Sequence, residues 1–492
     1  MELTTCGCRS PSKKRSAKPP TTIESLDRDI LCTVFSSLGL FDLVRCSLVC
    51  KSWNAIISRC KLLQALYYKL QNDSHGFSNT SSSSMRMYLE ELAMNHHRLS
   101  LVKGRIDINQ WNGHSSPHMD CVYCVLKVLS FRVDQCRMKR GLILTGVGDQ
   151  VMRLWSLESY KCVEEYSIPG RVSLVDFDFD ESKVTQKKIH TLFIGKYFMY
   201  IVGLVGTRIC IWRRNGTMSV FPSREGTFMK GLCMRYFDPE AVIGCEDGTA
   251  RVFDMYSRKC SRIIRMHAAP VTCLSLSEDQ LIISGSSNGS ITISGLSSDQ
   301  RVAKLRSAYS TGCICRLCEE LLLSLLISSQ LFSFFILFHL NLTGIKTLCY
   351  NPRSHQVFAG TTAGYAACWE LRTMKPLWEA RVSPNVIYSL QHLQHDASTI
   401  VVGGIDGVLR VLDQNTGEVL SSCVTDISAV SSSSENTSPA VERKKGVRLS
   451  EDTRIDRIPR STRPPITCLA VGMKKVVTTH HNKYIRLWKF DL

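Results

Sequence analysis

Two cysteine clusters in the sequence have the close spacing with which proteins build zinc sites. The clusters are Cys121-x-x-Cys124 and Cys313-x-Cys315-x-x-Cys318. A structural zinc ion needs four ligands, and neither cluster has a second ligand pair at a matching distance along the chain. The adjacent pairs His96–His97 and His480–His481 cannot turn both rings toward one metal from a regular helix or strand. We therefore expect no metal site and interpret the cysteines as ordinary strand or insertion residues.

Motifs that carry catalysis are also missing from the sequence. There is no GxxxxGK(S/T) phosphate loop, no GxSxG nucleophile turn, no HExxH pair and no GxGxxG after a strand. Each of these motifs supplies a group that its reaction requires, such as a nucleophile, a metal ligand or a phosphate cradle. The sequence therefore predicts a protein without catalytic residues or a cofactor, whose function rests on binding.

Composition limits the class of protein further. The chain has 492 residues, 44% of them apolar, which is enough to bury a large core. A chain of this length with 22 cysteines is not a small disulfide scaffold, and residues 1–22 lack the apolar stretch of a secretion signal. We expect reduced cysteines and a cytoplasmic or nuclear protein. The net charge of +18 is partly concentrated in residues 1–21, which we interpret as a disordered basic tail.

Residues 22–68 have the pattern of three short amphipathic helices. In LDRDILCTVFSSL the apolar residues repeat at helical spacing, and Gly39 follows as a helix end. Two further apolar stripes follow, one around Leu43 and one around Trp53. Three short helices cannot bury much apolar surface by themselves, so we expect this module to dock on another protein.

The same residues resemble the F-box, the three-helix module that binds the Skp-type adaptor of cullin–RING ubiquitin ligases. The resemblance rests on LDRDIL and on SLGLFDLVRCSLVCKSWNAII, in which SLVCKSWN is the most specific part. The family usually has proline after the first leucine, where this chain has Asp27, a residue that also favours a helix start. The resemblance implies adaptor-facing residues at Leu26, Ile30, Leu31, Phe35, Leu38, Leu43, Val49, Cys50 and Trp53.

A repeat occupies most of the remaining chain. Each copy has a turn with glycine and small residues, then a strand of alternating apolar residues, then tryptophan or a substitute. The copies are TGVGDQVMRLW, GLVGTRICIW, IGCEDGTARVF, SGSSNGSITIS, AGTTAGYAACW, VGGIDGVLRVL and THHNKYIRLW. Residues suited to tight turns recur at Asp149, Asp247, Asn288, Asp406 and Asn482. The copies resemble the WD repeat, and seven of them imply an all-β, seven-bladed propeller after the small all-α F-box module.

The repeat spacing predicts the domain boundaries. We expect a Ser-rich linker and a helix at 69–97 and the propeller at 98–492, with insertions near 115–131, 184–200, 317–343 and 424–464. The last insertion is polar and basic, so we interpret it as a surface loop. Because the last repeat ends close to Leu492, its blade lacks an outer strand, and the best donor is the alternating stretch RLSLVKGRIDINQW at 98–111.

One insertion contains 22 residues without a charge, Leu321 to Leu342. Alone it would predict a transmembrane helix, but repeat copies before and after it must close one ring, which a membrane crossing forbids. We therefore expect no membrane span. We interpret this segment and the apolar stretch at 187–200 as translated introns or splice-variant insertions that protrude from the ancestral fold.

The WD resemblance also implies where a protein target would bind, namely at the mouth of the central channel. The residues that map there are Lys230, Glu246, Thr272, Lys346, Tyr388 and His481, together with Thr467, Ser287 and Ile405. This set has two lysines but no arginine cluster, whereas phosphate capture usually relies on arginine. We therefore expect target recognition that does not depend strictly on phosphorylation.

Together the two resemblances imply a substrate receptor of an SCF-type ubiquitin ligase. The F-box would hold the Skp-type adaptor and, through it, the cullin complex, and the propeller would hold an unknown protein target. The alternative is a WD-repeat scaffold for protein or ribonucleoprotein assembly. Nucleic acid is the less favoured partner because no basic helix with interleaved aromatic residues is present.

Overall fold

The computed structural model describes most of the chain in fifteen segments. They are residues 26–66, 82–113, 133–139, 141–147, 151–169, 174–181, 199–213, 217–222, 230–277, 279–296, 301–306, 343–426, 441–450, 452–480 and 484–492. The chain divides into two compact units, Met1–Asn95 and His96–Leu492. In its described part the first unit is helical, and the second is built mostly of strands.

Helices occupy the N-terminal part of the chain. They are α1 (Arg28–Ser36), α2 (Leu40–Val49), α3 (Lys51–Arg59) and α4 (Ser82–Lys103). The Asp27 carboxylate caps α1 by accepting a hydrogen bond from the backbone N–H of Arg28 at 2.7 Å. The Cys50 sulfur caps α3 by accepting from the N–H of Trp53 at 3.4 Å. Aspartate in the place of the family's proline therefore starts the first helix.

The first unit has its own apolar core, which corrects part of the predicted adaptor surface. The core residues are Leu31, Phe35, Leu43, Ile56 and Ile57. We expected Leu31, Phe35 and Leu43 to form an exposed surface, and this is wrong, because all three are buried. Each turn of α1 carries two adjacent apolar residues, and the helix directs the second of each pair inward.

Strands build the described part of the second unit, together with one short 3₁₀-helix, Ile455–Arg457. The strands are β1 (Arg105–Asn112), β2 (Val133–Lys139), β3 (Leu142–Val147), β4 (Val151–Ser156), β5 (Cys162–Ser167), β6 (Leu174–Glu181), β7 (Met199–Val205), β8 (Arg208–Arg213), β9 (Met218–Val220), β10 (Gly231–Phe237), β11 (Glu240–Cys245), β12 (Thr249–Asp254), β13 (Lys259–Arg265), β14 (Val271–Leu276), β15 (Leu281–Ser286), β16 (Ser290–Gly295), β17 (Arg301–Arg306), β18 (Ile345–Asn351), β19 (Gln356–Thr361), β20 (Tyr365–Glu370), β21 (Lys375–Arg381), β22 (Ile387–Gln391), β23 (Thr399–Gly404), β24 (Leu409–Asp413), β25 (Val419–Thr425), β26 (Val441–Arg448), β27 (Ile466–Gly472), β28 (Lys475–His480) and β29 (Tyr484–Asp491).

The strands form antiparallel sheets that follow one another around a ring. Sheets of four strands each are β2–β5, β6–β9, β10–β13, β14–β17 and β18–β21. A further sheet has nine strands in the order β22-β23-β24-β25-β26-β1-β29-β28-β27. The first strands contact one another in series, from β2 through β6, β10, β14, β18 and β22 to β27, and β27 contacts β2 again. This closed series is consistent with a β-propeller.

Glycine recurs in the second strand of the repeat because neighbouring sheets approach closely there. A Cβ atom added to any of four such glycines would lie 2.6–2.7 Å from a side-chain carbon of the first residue of the next repeat's first strand, β14, β18, β22 or β27. The pairs are Gly244 with Val271, Gly285 with Ile345, Gly360 with Ile387 and Gly403 with Ile466. Because real side chains do not reach such distances, only glycine lets the sheets pack at this spacing.

The predicted strand donation to the last repeat is confirmed. Strand β1 precedes the first repeat copy and pairs antiparallel with β29, with Ile108 opposite Trp488. The donated segment is shorter than predicted, because residues 98–103 form the end of α4 and the strand begins at Arg105. Leu101 on that helical turn is buried in the same core as Ile108, so apolar residues alone do not distinguish helix from strand here.

Strand β26 corrects the prediction of a surface loop at 424–464. It pairs with β25 and with β1, so that Lys444 lies opposite Ile108 and Val447 opposite Val424. The sequence VERKKGVR conceals this strand because its many charged residues obscure the alternation of a half-buried strand. The insertion predicted near 184–200 also ends earlier than expected, since Met199 is buried and begins β7.

Several predictions lie outside the described residues. They concern the tail at 1–21, the linker at 69–81, the clusters at 121–124 and 313–318, the insertions at 115–131 and 317–342, and Asp149, His481 and Asn482. Within the described segments, no three His, Cys, Asp or Glu side chains are grouped as a metal site would require. Among those same segments, no helix combines the length and apolar character that crossing a bilayer demands.

Candidate functional site

Helix α1 exposes an apolar stripe. Leu26, just before the helix, and Ile30 and Val34 within it are 38%, 51% and 45% exposed. They follow one another at intervals of four residues, which places them on one helical face. Val49 at the end of α2 is 65% exposed. Leu26, Ile30 and Val49 are among the predicted adaptor-facing residues, whereas Val34 is not. Its spacing of four residues from Ile30 indicates that it lies on the same helical face.

Trp53 connects the core of the helical module to its surface. Its ring lies 5.2 Å from that of Phe35 in an edge-on arrangement at 63°. Its indole N–H is buried and has no hydrogen-bond acceptor among the described residues. Leu38 and Cys50 are half-buried as well. A buried indole N–H without an acceptor costs free energy, and a partner that supplies an acceptor would recover it.

The second unit, His96–Leu492, is called the β-unit below, and the first strand of each repeat is called its inner strand. A cavity of about 290 Å³ lies between the inner strands, along the predicted channel. Four of the predicted residues line this cavity together, namely Thr272, Lys346, Tyr388 and Thr467. The Lys346 ammonium lies 6.0 Å from the centre of the Tyr388 ring. The second position of the inner strand therefore lines the cavity in four strands, β14, β18, β22 and β27.

The other predicted mouth residues lie elsewhere. Lys230 and Glu246 form an exposed ion pair at 3.3 Å and are not among the residues that line the described cavity. Ser287 and Ile405 are exposed and likewise absent from that lining. Glu246, Ser287 and Ile405 stand beside the strand-connecting turns rather than on an inner strand.

Two arginines that were not among the predicted mouth residues line the same cavity. Arg137 comes from β2 and Arg235 from β10, and each is the fifth residue of its strand. The Asp176 carboxylate holds both guanidinium groups, at 2.8 Å from Arg137 and 3.4 Å from Arg235. With Lys346, three cations share the cavity with one carboxylate. When the inner strands VDQCRMK and GLCMRYF are aligned, the two arginines fall at the same position. This shared position is the sequence signal that could have predicted them as cavity residues.

Comparisons with known proteins agree with both units. The F-box domain family matches residues 23–64, and the "WD domain, G-beta repeat" family matches residues 258–293. A curated F-box/WD-40 repeat-containing protein of Arabidopsis thaliana is 50% identical over 503 aligned residues, which cover 100% of both chains. This chain belongs to the F-box/WD-40 repeat family. A solved structure, the computationally designed Ika8 protein, covers 73% of this chain and 96% of its own at 12% identity and a TM-score of 0.46, too low to carry an argument.

The family matches coincide with the elements that carry both candidate surfaces. The F-box match encloses α1 to α3, and so includes the α1 stripe and Trp53. The WD match begins at the outer strand β13 and ends in β16 of the next sheet. Within it, His267 contacts the hydroxyls of Ser290 and Ser284 at 2.9 and 2.8 Å. This buried polar network ties the loop before one sheet to the strands of that sheet.

An aspartate ladder joins the cavity wall of this F-box/WD-40 protein to the next sheet. Asp176, Asp178 and Asp180 alternate along β6 and accept hydrogen bonds from backbone N–H groups of β10 and of the following Asp238, at 2.8, 3.1 and 3.3 Å. Burial alone would raise the pKa of Asp178, but Lys139, Arg137 and Arg235 outweigh it and lower that pKa. The ladder therefore stabilises the contact of two neighbouring sheets as long as Asp178 stays ionised.

We expect Asp178→Asn to lower the free energy of unfolding by about 1–3 kcal/mol at pH 7. The amide cannot accept both of the N–H bonds that Asp178 now receives from Phe179 and Tyr236. Because the folded protein lowers the pKa of Asp178, its contribution is complete above about pH 4 and disappears as the pH falls further.

Urea unfolding at pH 7 and at decreasing pH measures this difference. Asp180→Asn is the matched control, because Asp180 is 23% exposed and its bond to the next sheet is longer. The control should lose less stability. A gap between wild type and Asp178→Asn that widens on acidification would contradict the assignment.

Proposed function

We propose that this protein is the substrate-recognition subunit of an SCF-type ubiquitin ligase. F-box domains generally bind Skp-type adaptors, and WD repeats form protein-binding propellers. The observation that carries the proposal is one chain with both an F-box that exposes an apolar helical stripe and a β-unit with a charged cavity. The proposal includes closure of the β-unit as a seven-bladed propeller and action in the cytoplasm or nucleus.

The proposed role is positional rather than catalytic. The adaptor and cullin would hold the ubiquitin-loaded enzyme, and the propeller would hold the target. Tethering raises the effective concentration of the target lysine at the thioester, which accelerates transfer without a reacting group on this chain. The function then depends on two affinities, that of the chain for the target and that of the chain for the adaptor.

The adaptor surface is proposed to centre on Leu26, Ile30, Val34 and Trp53. Three of these side chains expose apolar area that a partner would remove from water. Trp53 adds an N–H that lacks an acceptor among the described residues. The buried residues Leu31 and Phe35 serve instead to hold α1 against α3. Changing the stripe should therefore separate binding from folding better than changing the core.

We expect the double substitution Ile30→Asp and Val34→Asp to abolish adaptor binding while the helices remain folded. Both side chains are exposed, so the carboxylates cost little in the free protein, whereas desolvating them in an apolar interface is strongly unfavourable. Affinity of the purified full chain for the adaptor should fall by at least about a hundredfold, measured by calorimetry.

The matched control is Asn54→Asp with Ser58→Asp, which places two carboxylates at the same spacing on the exposed face of α3. Helical content, measured by circular dichroism, should be equal in both variants. Unchanged adaptor affinity in the Ile30 and Val34 variant would refute the proposed surface.

The cavity is the proposed target site, and its charge favours an anionic group on the target. Arg137, Arg235 and Lys346 outnumber the single carboxylate Asp176. Asp176 already forms an ion pair with each of the two arginines. Lys346 is therefore the cation of the three that is least occupied by ion pairing within the cavity. An Asp, Glu or phosphorylated side chain would complement this charge, and arginine pairs well with either group. Recognition that does not depend strictly on phosphorylation stays a prediction, because Asp176 already pairs with both arginines.

We expect Arg235→Gln with Lys346→Gln to weaken binding of anionic peptides by about tenfold. The measurement uses the full chain on arrays of matched peptides that carry serine, glutamate or phosphoserine at one position. Stronger binding of glutamate and phosphoserine peptides alike indicates general anion recognition, and binding of phosphoserine alone indicates phosphate dependence. Lys230→Gln is the control, because Lys230 is a surface lysine outside the cavity lining. Serine peptides that bind as tightly as the glutamate and phosphoserine peptides would contradict the site. A Lys230→Gln variant that loses as much affinity as the double variant would contradict it too.

A further inference from the structure

Three cysteines line the cavity with almost equal exposure. Cys233, Cys273 and Cys468 are 5%, 6% and 7% exposed and border the same space. A small molecule that enters the cavity therefore meets all three residues. Any difference in their reactivity must come from what surrounds each thiol, since thiolate content controls the reactivity of cysteine.

Cys468 has surroundings that the other two thiols lack. The Arg137 guanidinium donates a hydrogen bond to its sulfur at 3.8 Å. A hydrogen bond from Cys136 and the charge of Arg137 outweigh burial and lower the pKa of Cys468 to about 6. Burial instead raises the pKa of Cys273 to about 12 and raises that of Cys233 as well. Cys468 is therefore the thiol of this cavity whose surroundings favour loss of its proton, because the Arg137 guanidinium contacts its sulfur.

Cys136 stands directly behind Cys468 as a second thiol. It is fully buried on β2, and the Cys468 thiol on β27 donates a hydrogen bond to the Cys136 carbonyl oxygen at 3.4 Å. Each thiol shifts the pKa of the other, that of Cys136 upward and that of Cys468 downward. Both cysteines are free thiols. The pair spans the contact between β2 and β27, where the two ends of the sheet series meet.

We propose that Cys468 is a peroxide-reactive cysteine that forms a disulfide with Cys136 across this contact. The Cys468 thiolate attacks one oxygen of hydrogen peroxide, the O–O bond breaks, and the leaving hydroxide takes up a proton to become water. The Cys468 sulfenic acid is then attacked by the Cys136 sulfur, which gives up its proton. The S–O bond breaks, a second water leaves, and the S–S bond forms. Two thiols are oxidised by two electrons and one peroxide is reduced to two waters.

The disulfide would alter the cavity as well as the ring. It would link β2 to β27 covalently, so that the first and last sheets could not separate. It would also prevent Cys468 from forming a thiolate beside Arg137, which leaves that guanidinium to Asp176 and to a ligand. This inference does not depend on the proposed ligase role, because it concerns only groups within the β-unit.

Alkylation of the wild-type chain tests the reactive thiol without any substitution. The purified full chain is treated with iodoacetamide at pH 7, and the modification of each cysteine is followed by peptide mass spectrometry. We expect Cys468 to react at least about tenfold faster than Cys273 and Cys233, its internal controls of equal exposure. Equal or slower reaction of Cys468 would overturn the proposal.

Peroxide treatment tests the disulfide. Wild type should give a cross-linked peptide pair that contains Cys136 and Cys468 and disappears on reduction. In Cys136→Ser the sulfenic acid should persist on Cys468, where dimedone traps it. In Cys468→Ser neither product should form. Absence of the cross-link from folded wild-type protein after peroxide, or a cross-link between other cavity cysteines instead, would overturn the proposal.

Discussion

The antiparallel pairing of β1 with β29 is the interaction on which the rest of the β-unit depends. It joins residues 105–112 to residues 484–491, and β1 thereby connects the β27–β29 hairpin strands to β26 in the nine-stranded sheet. Without it the outer edge of β29 would present unpaired backbone groups. Pairing of β26 with β1 on the other side then covers that strand too. Closure in this way holds β2 against both β27 and β6, and these three strands carry much of the cavity wall.

The cavity chemistry follows from that closure. Arg137 on β2 lies between Asp176 on β6 and Cys468 on β27, so one guanidinium contacts both neighbouring sheets. A charge at this depth persists because a carboxylate and backbone groups compensate it. Gly146 on β3 permits the close approach of β6, because a Cβ atom there would lie 2.5 Å from the Phe177 ring and 3.0 Å from Leu174. Binding chemistry and ring closure therefore involve the same residues.

Repeat periodicity predicted the sheets well, because each copy states the same pattern of turn, alternating strand and aromatic residue. The donated strand was predictable from a missing partner rather than from its own sequence. Residues that depend on inter-sheet packing were not predictable in this way. Arg137 and Arg235 share one position when their two strands are aligned, but neither strand alone indicates a common cavity, and β26 has too many charges to resemble a strand. In the F-box, periodicity located the apolar residues of α1 but did not tell which of two adjacent residues faces inward.

The central claim is that one chain joins an adaptor-binding F-box to a separate target-binding propeller. Affinity purification of the full chain and of a chain without residues 22–66, followed by quantitative mass spectrometry, tests it most directly. We predict that the Skp-type adaptor and the cullin are lost together from the shortened chain, whereas proteins bound to the propeller are retained. Retention of adaptor and cullin by the chain without its F-box would contradict the account.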